Sequence, residues 1–356
     1  MEKTKIKKLL IGEAALLIVL LAAAIFARFV ILRPSAEAPQ TEPEQTTALD
    51  SAVEVGTTES NEAANTEASA PTEPEPDPEP LLEEMDLSAR NAFAYRLESD
   101  TLYYLQGGWT APIYPASVTK LFSAYVALQY LNPETVVTAG DELDLVSENS
   151  SVAYIHKGNR LTVSMLVEGM LLPSGNDAAH ILAAAAARAA RGNPELAAED
   201  AIAYFVDMMN TAAQSLGMTG SHFCNPDGYH NEDHYTCVRD LITIARLALE
   251  NEIISRYARL YEDDVVYASG HTNNWHNTNA LINPDSKYYR PEAVGLKTGS
   301  TTAAGNCLLS AFSVGGEFII VGVFGCEEKA DRFTDTLQVY QAALNMAEAP
   351  ETEPGA

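Results

Sequence analysis

The chain has 356 residues, 47% of them hydrophobic, enough to bury the core of one large domain or two modest ones. Its formal net charge of −27 argues against a nucleic-acid partner, because phosphate binding needs basic surface. The acidity is uneven: residues 34–89 hold fifteen Asp or Glu and no Lys or Arg.

Lys3, Lys5, Lys7 and Lys8 precede a mostly apolar run over residues 9–32. Lysines stay on the cytoplasmic side and the run is long enough to cross a bilayer. Residues 1–8 therefore read as a cytoplasmic basic tail and 9–32 as a single-pass transmembrane anchor, with the remainder outside the cell. A cleaved signal peptide with its apolar core at residues 14–27 is the alternative, and would leave the protein secreted. Ala22, Ala23 and Ala24 keep it open, and Glu13 and Arg28 make the span imperfect. Residues 33–84, rich in Pro, Glu and Thr, cannot bury enough apolar surface to offset ordering and are expected to be a disordered linker. A folded domain is expected over 85–348, with a short disordered tail at 349–356.

Within the folded part, "NAFAYRLESDTLYYLQGG" predicts two short strands around a turn at Glu98, Ser99 and Asp100. A helix follows Ser117 and runs to about Leu131, where Asn132-Pro133 stops it. Helical text continues in "LTVSMLVEGMLL" and in "NDAAHILAAAAARAARG", which is so rich in alanine that it should pack closely on its neighbours. "PELAAEDAIAYFVDMMNTAAQSLG" opens with Pro and ends in Gly, as helices do, and "TCVRDLITIARLALEN" is amphipathic at helical period. "NCLLSAFSVGGEFIIVGVFGC" reads as two strands joined through Gly315-Gly316, and "DRFTDTLQVYQAALNMAEA" as a closing helix. Strands thus bracket a central run of helices. The fold class is α/β of the α+β type: an antiparallel sheet flanked by helices, plus a helical lobe, with a cleft between them as the expected site.

Three stretches could carry chemistry. In "YPASVTKLFSAY", Ser117 stands three residues before Lys120, on one face of a helix. A lysine can take a serine's proton only when neutral, and burial or a second cation favours that form. An N-capping serine and a solvated lysine explain the same text. In "MLLPSGNDAAH", Ser174 and Asn176 precede a helix, where capping is again the ordinary explanation. In "AVGLKTGSTTAAGNCLLSAF", Lys297, Thr298, Gly299 and Ser300 sit at a strand end. Gly299 would let a substrate backbone approach, and a plain turn is the alternative.

Taken together, S-x-x-K, S-x-N and K-T-G in this order resemble the penicillin-binding proteins and serine β-lactamases. The text around them ("LLPSGNDAAHILA", "SHFCNPDGYH", "HYTCVRDL", "GLKTGSTTAAGNCLL") is similar to low-molecular-mass D-alanyl-D-alanine carboxypeptidases of the peptidase S11 family, over residues 91–347 or so. The resemblance implies a β-lactamase/DD-peptidase-like fold. It implies a serine-type carboxypeptidase at the bacterial cell surface that hydrolyses the terminal D-Ala-D-Ala bond of peptidoglycan stem peptides and is acylated by β-lactams. Ser117 would be the nucleophile, Lys120 its general base and Ser174 the proton relay. Asn176 would orient Lys120 and a substrate amide, Lys297 and Thr298 would engage the substrate carboxylate, and the Ser117 and Ser300 amides would form the oxyanion hole. No metal or organic cofactor is implied. The Gly between Ser174 and Asn176 matches the carboxypeptidases, whereas class A β-lactamases usually have Asp there. A β-lactamase, or an idle β-lactam-sensing or wall-binding module, is the alternative function. Familiar carboxypeptidases often carry a β-rich C-terminal domain and a terminal amphipathic helix. Here "EAPETEPGA" is acidic and unsuited to membranes, so attachment is expected through the N-terminal segment.

Other polar features carry less. Arg332 follows the hairpin, where a cation could reach the substrate carboxylate or serve structure alone. His230 and His234 are four apart, but Pro226, Asp227 and Gly228 make this a loop rather than a metal-binding helix. "HNTNAL" resembles a family segment near the cleft and reads as structural. None of the four cysteines forms a C-x-x-C pair; Cys307 and Cys326 read as buried thiols, while Cys224 and Cys237 could pair in an oxidising compartment.

Overall fold

The computed structural model describes residues 77–348. The expected basic tail, the apolar span 9–32, most of the linker and the terminal tail lie outside them. Among the described residues, no helix is long and apolar enough to cross a membrane.

The first and last strands of the folded part share one sheet. Strands β1 (Asn91–Arg96), β2 (Thr101–Gln106), β7 (Ala293–Thr301), β8 (Gly305–Val314) and β9 (Glu317–Cys326) assemble in the order β2-β1-β9-β8-β7. Every pairing is antiparallel. The inner strands read as nearly continuous apolar runs because both faces of the sheet are covered. Alternation along each strand then sorts the side chains between two cores. Phe93, Cys307, Leu309, Ala311, Ile320 and Phe324 face the helical lobe. Ala92, Ala94, Leu308, Phe312, Val321 and Val323 face the closing helix α7 (Asp331–Ala347), where Tyr340 stacks on Phe312 with ring centroids 3.7 Å apart.

The helical lobe is built on α1 (Thr119–Leu128), α2 (Val163–Leu171), α3 (Asn176–Arg191), α4 (Ala198–Ser215), α5 (Val238–Glu250) and α6 (Glu252–Ala258). The alanines of α3 pack closely, as expected: Ala178, Ala179, Ala183, Ala184, Ala186 and Ala187 are all buried. Two small two-stranded sheets, β3–β4 (Val136–Thr138, Arg160–Thr162) and β5–β6 (Glu262–Val266, Thr272–His276), were not legible in the sequence. The strands of β5–β6 are polar, with only Val265 and Trp275 buried, so they show no alternating apolar face. Helix α4 begins at Ala198 rather than at Pro194. Asn193 Oδ1 accepts from the Glu195 amide at 3.1 Å and folds Pro194 into a turn ahead of the helix. Ordered contacts with the sheet also begin before residue 85. Leu81 and Leu82 donate to Leu102 and Tyr103 (3.3 and 2.8 Å), covering the β2 edge, while Leu82 packs on the α7-side core.

Asp177, on the first turn of α3 and 3% exposed, ties the loop ahead of β4 to the helix. Its carboxylate accepts from the Ala153 and Ile155 amides at 2.8 and 2.9 Å, and from Ala178 at 2.9 Å. Asp177→Ala strands three buried amides. It is expected to lower stability by about 2–4 kcal/mol, measured by urea unfolding; a change within experimental error contradicts this account of the loop.

Candidate active site

A cleft of about 900 Å³ opens between the sheet and the helical lobe, lined among others by Ser117, Ser174, Asn176, Thr298, Ser300 and Arg332. Of the nine residues assigned from the sequence, Gly299 also lines it, whereas Lys120 and Lys297 lie behind its surface, both fully buried.

Ser117 occupies a short 3-10 turn (Ala116–Val118) that leads into α1. It caps neither segment: the caps are Pro115 and Val118, and neither makes a side-chain capping bond. The amide of a first-turn residue has no intrahelical acceptor and stays available to a ligand. The turn is locally strained, since Ala116 holds a left-handed backbone with φ of 47°. Its carbonyl accepts from Thr119 Oγ1 at 2.8 Å. Thr119 Oγ1 in turn lies 2.9 Å from His234 Nε2. His234 Nδ1 accepts from the Cys224 amide at 3.1 Å, so Nε2 carries the proton and donates to Thr119. Burial lowers the His234 pKa to about 4, which keeps the ring neutral in this role. His234 is thus an internal brace, and His230 lies edge-on to Tyr114 at 5.0 Å.

Lys120 is not a solvated side chain. Its Nζ lies 2.9 Å from Ser117 Oγ, 2.7 Å from Asn176 Oδ1 and 2.7 Å from the Asp227 carbonyl. Two of these partners only accept, and the third is a hydroxyl that can also donate. A neutral amine in this position places its two N–H bonds on the carbonyl oxygens and turns its lone pair to the Ser117 hydroxyl. Burial lowers the Lys120 pKa to about 8 against the opposing pull of Asp227 and Asp177. Asn176, the first residue of α3, spends its side chain on this lysine rather than on a cap.

Lys297 on β7 bonds the Thr298 carbonyl at 3.1 Å. Burial first, then the charges of Lys120 and Arg332, push it well below the ordinary lysine range. Thr298 pairs with Thr278 of the "HNTNAL" segment through their hydroxyls, so this segment does reach the cleft. The other two residues of its Asn277–Asn279 turn are structural: Asn277 Nδ2 donates to the Leu260 carbonyl, and Asn279 Oδ1 accepts from the Leu281 amide. Ser300 Oγ donates to Asn306 Oδ1 at 2.6 Å. Arg332, at the head of α7, reaches across to the Gly299 carbonyl at 3.3 Å. Ser174 takes a left-handed backbone (φ 64°) and lines the cleft, but its hydroxyl bonds neither lysine.

Gly299 also allows a close approach within the protein. A Cβ there would lie 2.9 Å from Ala116 Cβ, 3.0 Å from the Pro115 carbonyl and 3.1 Å from the Ser117 amide nitrogen. The glycine lets β7 press against the serine turn itself. Gly228 also packs on this turn: a Cβ there would collide with the Ala116 carbonyl. The residues that sequence reasoning missed are Asp227 and its buried partner His180, whose Nε2 lies 3.3 Å from Asp227 Oδ2. The only local signal was the N-P-D-G turn text. All four cysteines are free thiols, so Cys224 and Cys237 do not pair; Cys307 and Cys326 are buried, as expected.

Residues 82–328 match the family model for peptidase S11, D-alanyl-D-alanine carboxypeptidase. The D-alanyl-D-alanine carboxypeptidase of Streptomyces sp. (strain K15) is 32% identical over 232 residues, covering 63% of this chain and 76% of that one. DacF of Bacillus subtilis, named as the same enzyme, is 30% identical over 66% of this chain, which spans 57% of its length. The crystal structure of the Streptomyces K15 DD-transpeptidase has a TM-score of 0.66 at 28% identity, covering 74% of this chain and 100% of that one. With the match extending over most of the described residues, this chain belongs to the peptidase S11 family of D-alanyl-D-alanine carboxypeptidases.

Proposed function

We propose that the chain is a serine-type D-Ala-D-Ala carboxypeptidase that trims peptidoglycan stem peptides through an acyl-enzyme on Ser117. The observation that carries this reading is the Lys120 amine, dry and bonded to two carbonyl oxygens, with Ser117 Oγ as its remaining partner. As Ser117 Oγ attacks the carbonyl between the two D-alanines, its proton passes to Lys120. The carbonyl oxygen becomes an oxyanion facing the Ser117 and Ser300 amides; removing one such donor costs about 2.7–4 kcal/mol of transition-state stabilisation. As the C–N bond breaks, Ser174 gives its hydroxyl proton to the leaving D-alanine amine and takes in return the proton held by Lys120, which leaves both groups neutral for the next step. Water then attacks the ester, and the serine is regenerated. Thr298 and Arg332, both in the cleft lining, hold the terminal carboxylate. Lys297 lies behind them, where burial and two neighbouring cations disfavour its charge and an arriving carboxylate favours it. A β-lactam, which mimics D-Ala-D-Ala, acylates the same serine. The likeness to S11 carboxypeptidases supports a cell-wall substrate, and the lysines ahead of residues 9–32 support a domain at 85–348 tethered outside the cell by an N-terminal membrane anchor.

The full chain is expected to release D-alanine from an acylated Lys-D-Ala-D-Ala peptide, and Ser117→Ala to abolish release. The base must be neutral, so kcat/KM rises with pH through a midpoint of about 8, the Lys120 value. Release that survives Ser117→Ala, or a rate flat from about pH 6 to pH 10, contradicts the mechanism. In Gly299→Ala the serine turn has to move away from β7. Acylation by benzylpenicillin is expected to slow on the order of a hundredfold while the thermal midpoint changes little; an unchanged acylation rate rules out this contact as what places Ser117.

A further inference from the structure

Behind the lysine lies a buried pair to which the reaction steps above give no role. Asp227 and His180 are 1% and 5% exposed. His180 Nε2 approaches one carboxylate oxygen of Asp227, and the other accepts from the Tyr229 amide at 2.8 Å. The main-chain carbonyl of this same Asp227 holds Lys120 Nζ at 2.7 Å. One residue therefore grips the lysine through its backbone and confronts it with a charge through its side chain.

The charge balance around Lys120 is set from several elements. Asp177 comes from α3, Asp227 and the neutral His234 from the segment between α4 and α5, and Lys297 from β7, with Arg332 of α7 acting on Lys297 in turn. Burial disfavours the Asp227 carboxylate. The His180 hydrogen bond, the Lys120 charge and the Tyr229 amide outweigh it and hold the group below the ordinary carboxylate range. An anion fixed here favours the ammonium form of Lys120, whereas the dry surroundings favour the amine.

We propose that Asp227, held by His180, is a positioning residue that fixes Lys120 against Ser117 and sets how readily the lysine gives up its proton. A lysine too easily deprotonated is a weak base, and one held too firmly as ammonium cannot accept the serine proton; optimal bases lie near the working pH. The carboxylate moves Lys120 away from the first extreme. His180 is suited to holding it, because among the described residues its Nδ1 has no partner, so its ring is tied to Asp227 alone. The same freedom lets the imidazole change tautomer and accept from an asparagine at 227, so Asp227→Asn removes the charge with little change of shape.

The inference rests on Ser117 and Lys120 acting as proposed, and the test separates the two. Acylation of the full chain by a chromogenic cephalosporin is followed against pH for the wild type, Asp227→Asn and His180→Gln. In parallel, Lys120 is titrated by NMR of 15N-lysine-labelled protein. In Asp227→Asn, both the acid limb and the Nζ titration are expected to move down by about one pH unit or more, the usual effect of a neighbouring opposite charge. His180→Gln keeps a donor for the carboxylate and is expected to keep the wild-type midpoint. A wild-type midpoint in Asp227→Asn with only a lower plateau overturns the proposal, and so does a His180→Gln shift as large as that of Asp227→Asn. If Asp227→Asn does not fold, Asp227→Ser deletes the same charge and is judged by the same shift. Wild-type protein that is never acylated sinks the carboxypeptidase reading, while the NMR titration still decides the role of Asp227.

Discussion

The constraint on which the rest depends is the burial of the Lys120 amine. Holding an ammonium away from water costs several kcal/mol even after relaxation, and burial accordingly depresses this lysine. The protein meets that cost with short bonds from Ser117, Asn176 and Asp227. Two of the three can only accept, so the arrangement is satisfied by the neutral amine and singles out the serine hydroxyl as the group facing its lone pair. The same desolvation that makes the site expensive makes the base usable near neutral pH.

Each partner comes from a different part of the fold, which explains why the contacts around the serine turn are so close. The turn itself leads into α1, Asn176 opens α3, Asp227 lies in the loop between α4 and α5, and β7 forms the sheet edge. Bringing β7 and the N-P-D-G turn against the serine turn leaves no room for a Cβ at Gly299 or Gly228. The left-handed backbone at Ala116 lies within this close packing. Such conformations persist only where the surroundings over-determine them, here between a sheet buried on both faces and a close-packed alanine-rich helix.

Much of this was legible along the chain. The order of strands around a central run of helices pointed to a sheet flanked by helices, and the helical periods of α1, α3, α5 and α7 were read to within a few residues. Departures came where local signals are weak: polar strands with one buried residue each, a proline drawn into an asparagine turn, and two leucines that pair only because an edge strand lies beside them. At Gly299 the close neighbour is the serine turn, which is remote in sequence and so left no local signal.

By itself the sequence determined the strand and helix periods, the three motifs with their order and spacing, and through them the family. Those features are written in residue type and local period, which survive without knowledge of what packs on what. Only the tertiary structure decided that Ser117 and Asn176 are not caps, that Lys120 and Lys297 are dry, and that Asp227 and His180 stand behind the base. Burial and charge proximity are properties of neighbours in space, and these neighbours come from segments far apart along the chain.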